Sequence, residues 1–223
     1  MHEAVKLIMF DLDGTLVETG VEIGNAVNAT LRERGFATVT QQQIDGWIGR
    51  GAQELMIQAL SVVTARSETQ LRADITLPQT IAQFQTNYQN HCGTSSRLYP
   101  HVAAVLLALR ERGVKLAVVT NKDKRFADLV LRACKIDDLF DVIVGGDSLA
   151  AKKPDPVGLQ YCLNLFGVMP GEALFVGDSS IDAAAARAAG VPVWLLTYGY
   201  NMHQDVRDSA PDRVIEDLSA LLN

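Results

Sequence analysis

Residues 10–16 read FDLDGTL and follow directly on the run Lys6-Leu7-Ile8-Met9. A β-favouring run that stops on Asp, Gly and Thr is an ordinary strand-to-turn ending, because Asp and Gly are turn residues. Two acids one position apart also suit a second role. Open α/β sheets place their chemistry at the carboxyl ends of the strands, and Asp11 and Asp13 would stand at the end of the first one. The rest of the chain decides between the two readings.

Four more runs have the same form: KLAVVTN (115–121), DVIVGGD (141–147), ALFVGD (173–178) and PVWLLTY (192–198). Continuous apolar runs of this length predict parallel strands covered on both faces. The segments between them carry helical spacing. Val102, Val105, Leu106 and Leu109 form one stripe, Phe126, Leu129, Val130 and Ala133 a second, and Leu159, Cys162, Leu163 and Phe166 a third. Asp155-Pro156 is expected to supply the N-cap and the first helical position of the last. Strand and helix in alternation predict an α/β fold, a doubly wound Rossmann-like parallel sheet.

One interval breaks the alternation. Between the first strand and Leu98-Tyr99-Pro100 no strand is expected, and two helical stripes stand out: Ala52, Leu55, Met56, Ala59, Leu60 and Val63, then Leu77, Ile81, Phe84, Tyr88 and His91. Thr40-x-x-Gln43 and Ser67-x-x-Gln70 have capping-box spacing. The expected organisation is a core of residues 1–17 and 97–223 with an all-helical insert over 18–96. An insert rooted beside a site can serve as its lid.

Composition narrows the partners. Hydrophobic residues make up 48% of 223, enough to bury a substantial core. Twenty Lys and Arg stand against 26 Asp and Glu, a net charge of −6, with no long basic run, which argues against a nucleic-acid polymer. An anionic ligand would need attraction supplied locally. Cys92, Cys134 and Cys162 are widely spaced with no C-x-x-C pair, as expected in a reducing compartment. No signal-peptide pattern and no run of membrane-spanning length occurs, so the expectation is a cytoplasmic protein, monomer or homodimer, with no membrane partner.

The expected strand ends carry a set of polar residues. Asp11 and Asp13 follow the first, Thr120 and Asn121 the second; Lys152 and Lys153 come after DVIVGGD; Asp178 and Asp182 follow ALFVG. Each has an ordinary structural explanation as a turn, cap or loop residue. Parallel strands nevertheless bring their carboxyl ends to one edge, so these residues should converge. Carboxylates, a hydroxyl, an amide and an ammonium around one crevice suit phosphoryl transfer with a hard divalent cation such as Mg2+. Crowded acids without a cation would repel one another.

FDLDGTL, VVTN, KKPDP and FVGDSSID resemble the four successive motifs of the haloacid dehalogenase superfamily, over nearly the whole chain. The insert resembles that superfamily's small helical C1 cap. More narrowly, GWIGRGAQEL, LYPHV, AVVTNK, GGDSLAAKKPDP and LTYGYN are similar to the phosphoglycolate phosphatase group. Val17-Glu18-Thr19, Asp155 and Ser180-Ile181 depart from residues common in that group.

The resemblance implies roles. Asp11 would be the nucleophile and Asp13 the acid and base; Thr120, with Asn121 beside it, would bind phosphoryl oxygens, and Lys153 would neutralise charge. Asp11, Asp178 and the main-chain carbonyl of Asp13 would ligate Mg2+, with Asp182 either behind those ligands or orienting Lys153. Members that cleave carbon–halogen bonds lack the second acid, so Asp13 implies phosphate chemistry. The implied activity is a Mg2+-dependent phosphomonoesterase for a small phosphorylated metabolite, 2-phosphoglycolate first. A phosphatase or phosphomutase for another sugar phosphate or nucleotide, or a silent phosphometabolite-binding protein, are the alternatives. Arg50, between two glycines, is the candidate contact for the non-phosphate end of the substrate, since its fork suits a carboxylate. Lys122 is a second candidate.

Overall fold

A computed structural model of the chain describes residues 5–223. The first strand, β1 (Leu7–Phe10), is buried along its whole length and ends one residue before Asp11. A two-residue strand, β2 (Val17–Glu18), leads into five helices: α1 (Gly20–Glu33), α2 (Gln41–Asp45), α3 (Ala52–Thr64), α4 (Glu68–Arg72) and α5 (Leu77–His91). The chain returns through β3 (Arg97–Leu98), which pairs antiparallel with β2. It then alternates through α6 (Val102–Glu111), β4 (Lys115–Val119), α7 (Lys124–Ala133), β5 (Val142–Val144), α8 (Val157–Phe166), β6 (Ala173–Gly177), α9 (Ser180–Ala189), β7 (Val193–Leu196) and β8 (Arg213–Ile215).

Six strands form one parallel sheet in the order β5-β4-β1-β6-β7-β8. β1 is central because it is apolar on both faces, and side chains of a strand alternate between faces. Ile8 and Phe10 pack with Val118, Val176 and the α6 and α7 side chains, whereas Leu7 and Met9 pack with Val119, Phe175 and the α8 and α9 side chains. The winding runs outward from β1 to β5, then crosses to β6, so its direction reverses beside β1. Such a reversal opens a crevice at the strand ends.

The helices of residues 20–91 bury a cluster of their own, with Val27, Ile44, Met56 and Phe84 among its members, which Phe126 of α7 joins. Both capping boxes form: Thr40 and Ser67 accept from the main-chain N–H of Gln43 and Gln70, whose side chains reach back to the caps. Glu22 is completely buried and accepts from Tyr88 Oη, the N–H groups of Gly93 and Ser95, and Ser96 Oγ. One carboxylate thus fastens the start of the helical segment to its return.

Four details differ from the sequence reading. The sheet has a sixth strand, β8, and a β2–β3 ribbon lies at the root of the helical segment where no strand was expected. In α7 the buried face is Phe126, Ala127, Val130 and Leu131, with Ala133 exposed, because the helix packs on two clusters at once. Pro156 occupies the cap position of α8 itself, while Asp155 accepts from Val157 N–H at 2.9 Å. Among the described residues no helix is long and apolar enough to cross a membrane.

Candidate active site

The ends of β1, β4 and β6 meet at the crevice. Register pairs Phe10 with both Val118 and Val176, so Asp11, Thr120 and Asp178 emerge at one edge. Asp11 donates its N–H to Val176 O at 2.9 Å and its carboxylate accepts from Leu12 N–H at 2.7 Å, which fixes it against the sheet. Lys153 Nζ, itself buried, lies 2.9 Å from Asp11 Oδ1 and 2.7 Å from Asp182 Oδ1.

Asp11, Asp178 and Asp182 offer carboxylate oxygens within 4.8 Å of one another. Asp182 has the least to give a cation. Its Oδ1 accepts from Lys153 and its Oδ2 from Asp178 N–H, Ser179 N–H and Ser179 Oγ, so it orients the lysine and closes the first turn of α9. Asp178 accepts from Thr15 Oγ1 at 2.7 Å and from Tyr200 N–H at 2.5 Å. Gly14 explains the Asp-Gly-Thr ending of the first strand: its φ is +83°, and a Cβ there would run into the Asp178 carboxylate. Gly199 approaches the same carboxylate from the other side.

Three acids are buried together, and Asp11 and Asp182 share one ammonium. Burial lifts the Asp11 carboxyl from 3.8 to about 6 against the pull of Lys153, with Asp182 and Asp13 adding repulsion. Burial also raises Asp178 well above the usual carboxylate range, helped by Asp182 and Asp11. Burial would lower the Lys153 ammonium, but Asp11 and Asp182 together outweigh it and raise it. A hard divalent cation suits this donor set, because it would cancel the excess negative charge with oxygen ligands. The Asp13 carboxylate is not one of the three.

Asp13 turns its carboxylate to Thr19 Oγ1 at 2.6 Å and to Lys122 Nζ at 2.9 Å. Thr120 is buried, its Oγ1 accepting from Lys122 N–H at 3.3 Å. Asp11, Asp13, Thr120 and Lys122 line one cleft of ≈ 550 Å3, part of it open solvent, whose apolar wall includes Ile23, Leu55, Phe84 and Phe126.

The two expected substrate contacts are placed differently from each other. Asn121 also lines the cleft, but its Nδ2 donates to Gly49 O and Lys153 O, both at 2.9 Å. Both side-chain amide hydrogens are committed, so Asn121 ties the 49–51 loop to the Lys153 loop. Arg50 is exposed, and its neighbours Gly49 and Gly51 face the cleft instead.

The sequence profile of the haloacid dehalogenase-like hydrolases matches residues 8–196. The chain belongs to the haloacid dehalogenase-like hydrolase family. Phosphoglycolate phosphatases of Haemophilus influenzae and Mannheimia succiniciproducens are each 42% identical to this hydrolase, over 100% of its chain and 99% of theirs. A crystal structure of "a predicted phosphoglycolate phosphatase" from Haemophilus somnus is 36% identical and superposes with a TM-score of 0.91, covering 100% of this chain and 98% of the other.

Several residues that shape this hydrolase's site carried no role in the sequence reading. Thr15 and Tyr200 hold Asp178, Thr19 holds Asp13, and Tyr88 holds Lys122 through its hydroxyl at 2.7 Å. Thr15 lies inside FDLDGTL and Tyr200 inside LTYGYN, so both sat within stretches already singled out. Nothing in their spacing pointed to their partners.

Proposed function

We propose that this hydrolase is a Mg2+-dependent phosphomonoesterase that converts 2-phosphoglycolate to glycolate and phosphate. The convergence of Asp11, Asp13, Thr120 and Lys153 on one crevice supports this reading, as do relatives named for that activity over their full length. Residues 18–96 act as its cap, and Asn121 couples the cap to the lysine loop. The three unpaired cysteines favour a cytoplasmic setting.

The Asp11 carboxylate attacks phosphorus, and the P–O bond to glycolate breaks. Asp13 supplies the proton that the departing alkoxide needs. Lys153 keeps Asp11 ionised and compensates charge on the phosphoryl group, and Thr120 donates its hydroxyl to a non-bridging oxygen. Asp13, now a carboxylate, takes a proton from water as the water attacks phosphorus. The acyl phosphate bond breaks, phosphate leaves, and Asp11 is regenerated. Mg2+, held by Asp11, Asp178 and the Asp13 carbonyl, would supply positive charge to the phosphoryl oxygens.

Phosphate release from a panel of small phosphomonoesters tests the reading, with Mg2+ or chelator and with wild type or Asp11→Asn. Release that needs both Mg2+ and Asp11 and is highest in kcat/KM for 2-phosphoglycolate is the expected result. Even release across the panel would remove the substrate assignment, and release by Asp11→Asn would remove the mechanism.

A further inference from the structure

The charged side chains around the cleft are unequal in sign. Asp11, Asp13 and Asp123 are acids, and among the described residues that line it Lys122 is the one cation. Lys153 lies beneath, engaged by Asp11 and Asp182. Among the residues that line the cleft, a second anionic group beyond the phosphate would therefore find its one cationic partner in Lys122, with Lys152 Nζ outside the lining beside Gly51.

Lys122 is held in place. Its Nζ lies 2.9 Å from Asp13 Oδ1 and 2.7 Å from Tyr88 Oη, and 4.8 Å from the centre of the Tyr88 ring. Tyr88 donates in turn to Glu22 Oε1 at 3.1 Å, and Glu22 is anchored by Gly93, Ser95 and Ser96. An ammonium has three donors, and these two contacts leave one. The side chain is buried, so little rotamer freedom remains to be lost when a ligand takes that donor.

Its position beside Asp13 also sets a length. Asp13 serves the ester oxygen, so an ammonium touching Asp13 reaches groups close to that oxygen. In 2-phosphoglycolate a single methylene separates the ester oxygen from the carboxylate. Resting on the 2-phosphoglycolate reading, we infer that Lys122 recognises the substrate's carboxylate and is the specificity-determining residue of this site. The charge-assisted hydrogen bond it donates selects an α-carboxylate over a neutral group of the same shape. Phe84, Leu55 and Ile23 opposite offer no competing partner. A sugar phosphate would bring hydroxyls to the ammonium and gain less.

The test uses two non-hydrolysable ligands, 3-phosphonopropionate and n-propylphosphonate, which differ in the carboxylate. Their Kd values are measured calorimetrically on the Mg2+-loaded enzyme, so the readout does not depend on turnover. Wild type should bind the carboxylate ligand roughly 10- to 100-fold more tightly, the range of a charge-assisted hydrogen bond. In Lys122→Met the ratio should fall to within about threefold of unity, whatever happens to overall affinity. Tyr88→Phe, which keeps the ring and the lysine, should reduce the ratio only partly.

A ratio near one in wild type overturns the inference without any variant, and so does a ratio that survives in Lys122→Met. If wild type still prefers 2-phosphoglycolate in turnover while Lys122→Met keeps the ratio, the Lys122 assignment falls alone. If the ratio is high, is lost in Lys122→Met, and turnover favours another acid phosphate, the 2-phosphoglycolate reading falls and the lysine's role stands.

Discussion

Removing divalent cations should make the stability of this protein fall as pH rises through the range in which its buried acids ionise. Asp11, Asp178 and Asp182 crowd together with only Lys153, on Asp11 and Asp182, to offset them, and burial raises Asp11 from 3.8 to about 6. A carboxyl whose pKa is higher in the folded chain holds its proton better there. Its contribution to stability is complete below the unfolded value of about 3.8 and is lost as pH climbs through about 6. The gap for Asp11, 6 − 3.8 or about 2.2, is worth about 3 kcal/mol. In a chain of this length 1 kcal/mol moves Tm by about 2–4 °C, so this carboxyl alone should lower the metal-free Tm by about 6–12 °C between about pH 4 and pH 7.5. Asp178 acts in the same direction. Asp74, held down by Thr76, and Glu54, held down by Arg72, act oppositely, since their contribution is lost as pH falls. Calorimetry on wild type and Asp11→Asn, in chelator and in Mg2+, separates the two classes. The wild-type-minus-variant difference in chelator should decline with pH. Mg2+ should raise the wild-type Tm by several degrees more at about pH 7.5 than at about pH 5, because protons and cation compete for the same carboxylates. Equal Mg2+ shifts at both pH values, or a difference between the proteins that ignores pH, would refute the reasoning.

Asp13→Asn should lower kcat/KM, which reports on the step that expels the leaving group, by about 10^2- to 10^4-fold for 2-phosphoglycolate and much less for p-nitrophenyl phosphate, whose leaving group needs no proton; equal losses in kcat/KM would remove the proton-donor role. Lys153→Met leaves the buried Asp11 and Asp182 with no ammonium and should cost about 3–5 kcal/mol in urea unfolding of the metal-free protein; a loss below about 1 kcal/mol would show that these acids are already neutral. Gly14→Ala forces a Cβ toward the Asp178 carboxylate at φ +83°. The Mg2+ concentration for half-maximal activity should rise about tenfold or more, as strain of about 1–3 kcal/mol at a cation ligand implies, and an unchanged Mg2+ requirement would detach Gly14 from the metal site.

How far the sequence could be read depended on how local each signal was. Every apolar run flagged as a strand formed one, because a continuous buried run needs no partner to be recognised. The capping boxes are equally local, and both formed. β8 has only Arg-Val-Ile, and β2 and β3 have two residues each, too short for any periodicity to register. α7 was misread by one face because a helix that touches two clusters buries more than one stripe.

The site divides along the same line. Asp11, Asp13 and Asp178 announce themselves as acids breaking apolar strands, whereas Thr15 and Tyr200 act through partners distant in sequence, which only the folded chain supplies. Arg50 illustrates the converse: its glycine-flanked setting looked functional, yet those glycines turn main chain toward the cleft and leave the guanidinium exposed. Lys122 lines the cleft where Arg50 does not, because it lies three residues past the end of β4 with its N–H on Thr120 Oγ1. A cation that must discriminate a carboxylate close to the reacting ester is better placed on that rigid edge than on a connection between helices. The same edge carries the crowded acids that a divalent cation would neutralise, so the proposed substrate contact and the proposed metal site both follow from where the parallel strands end.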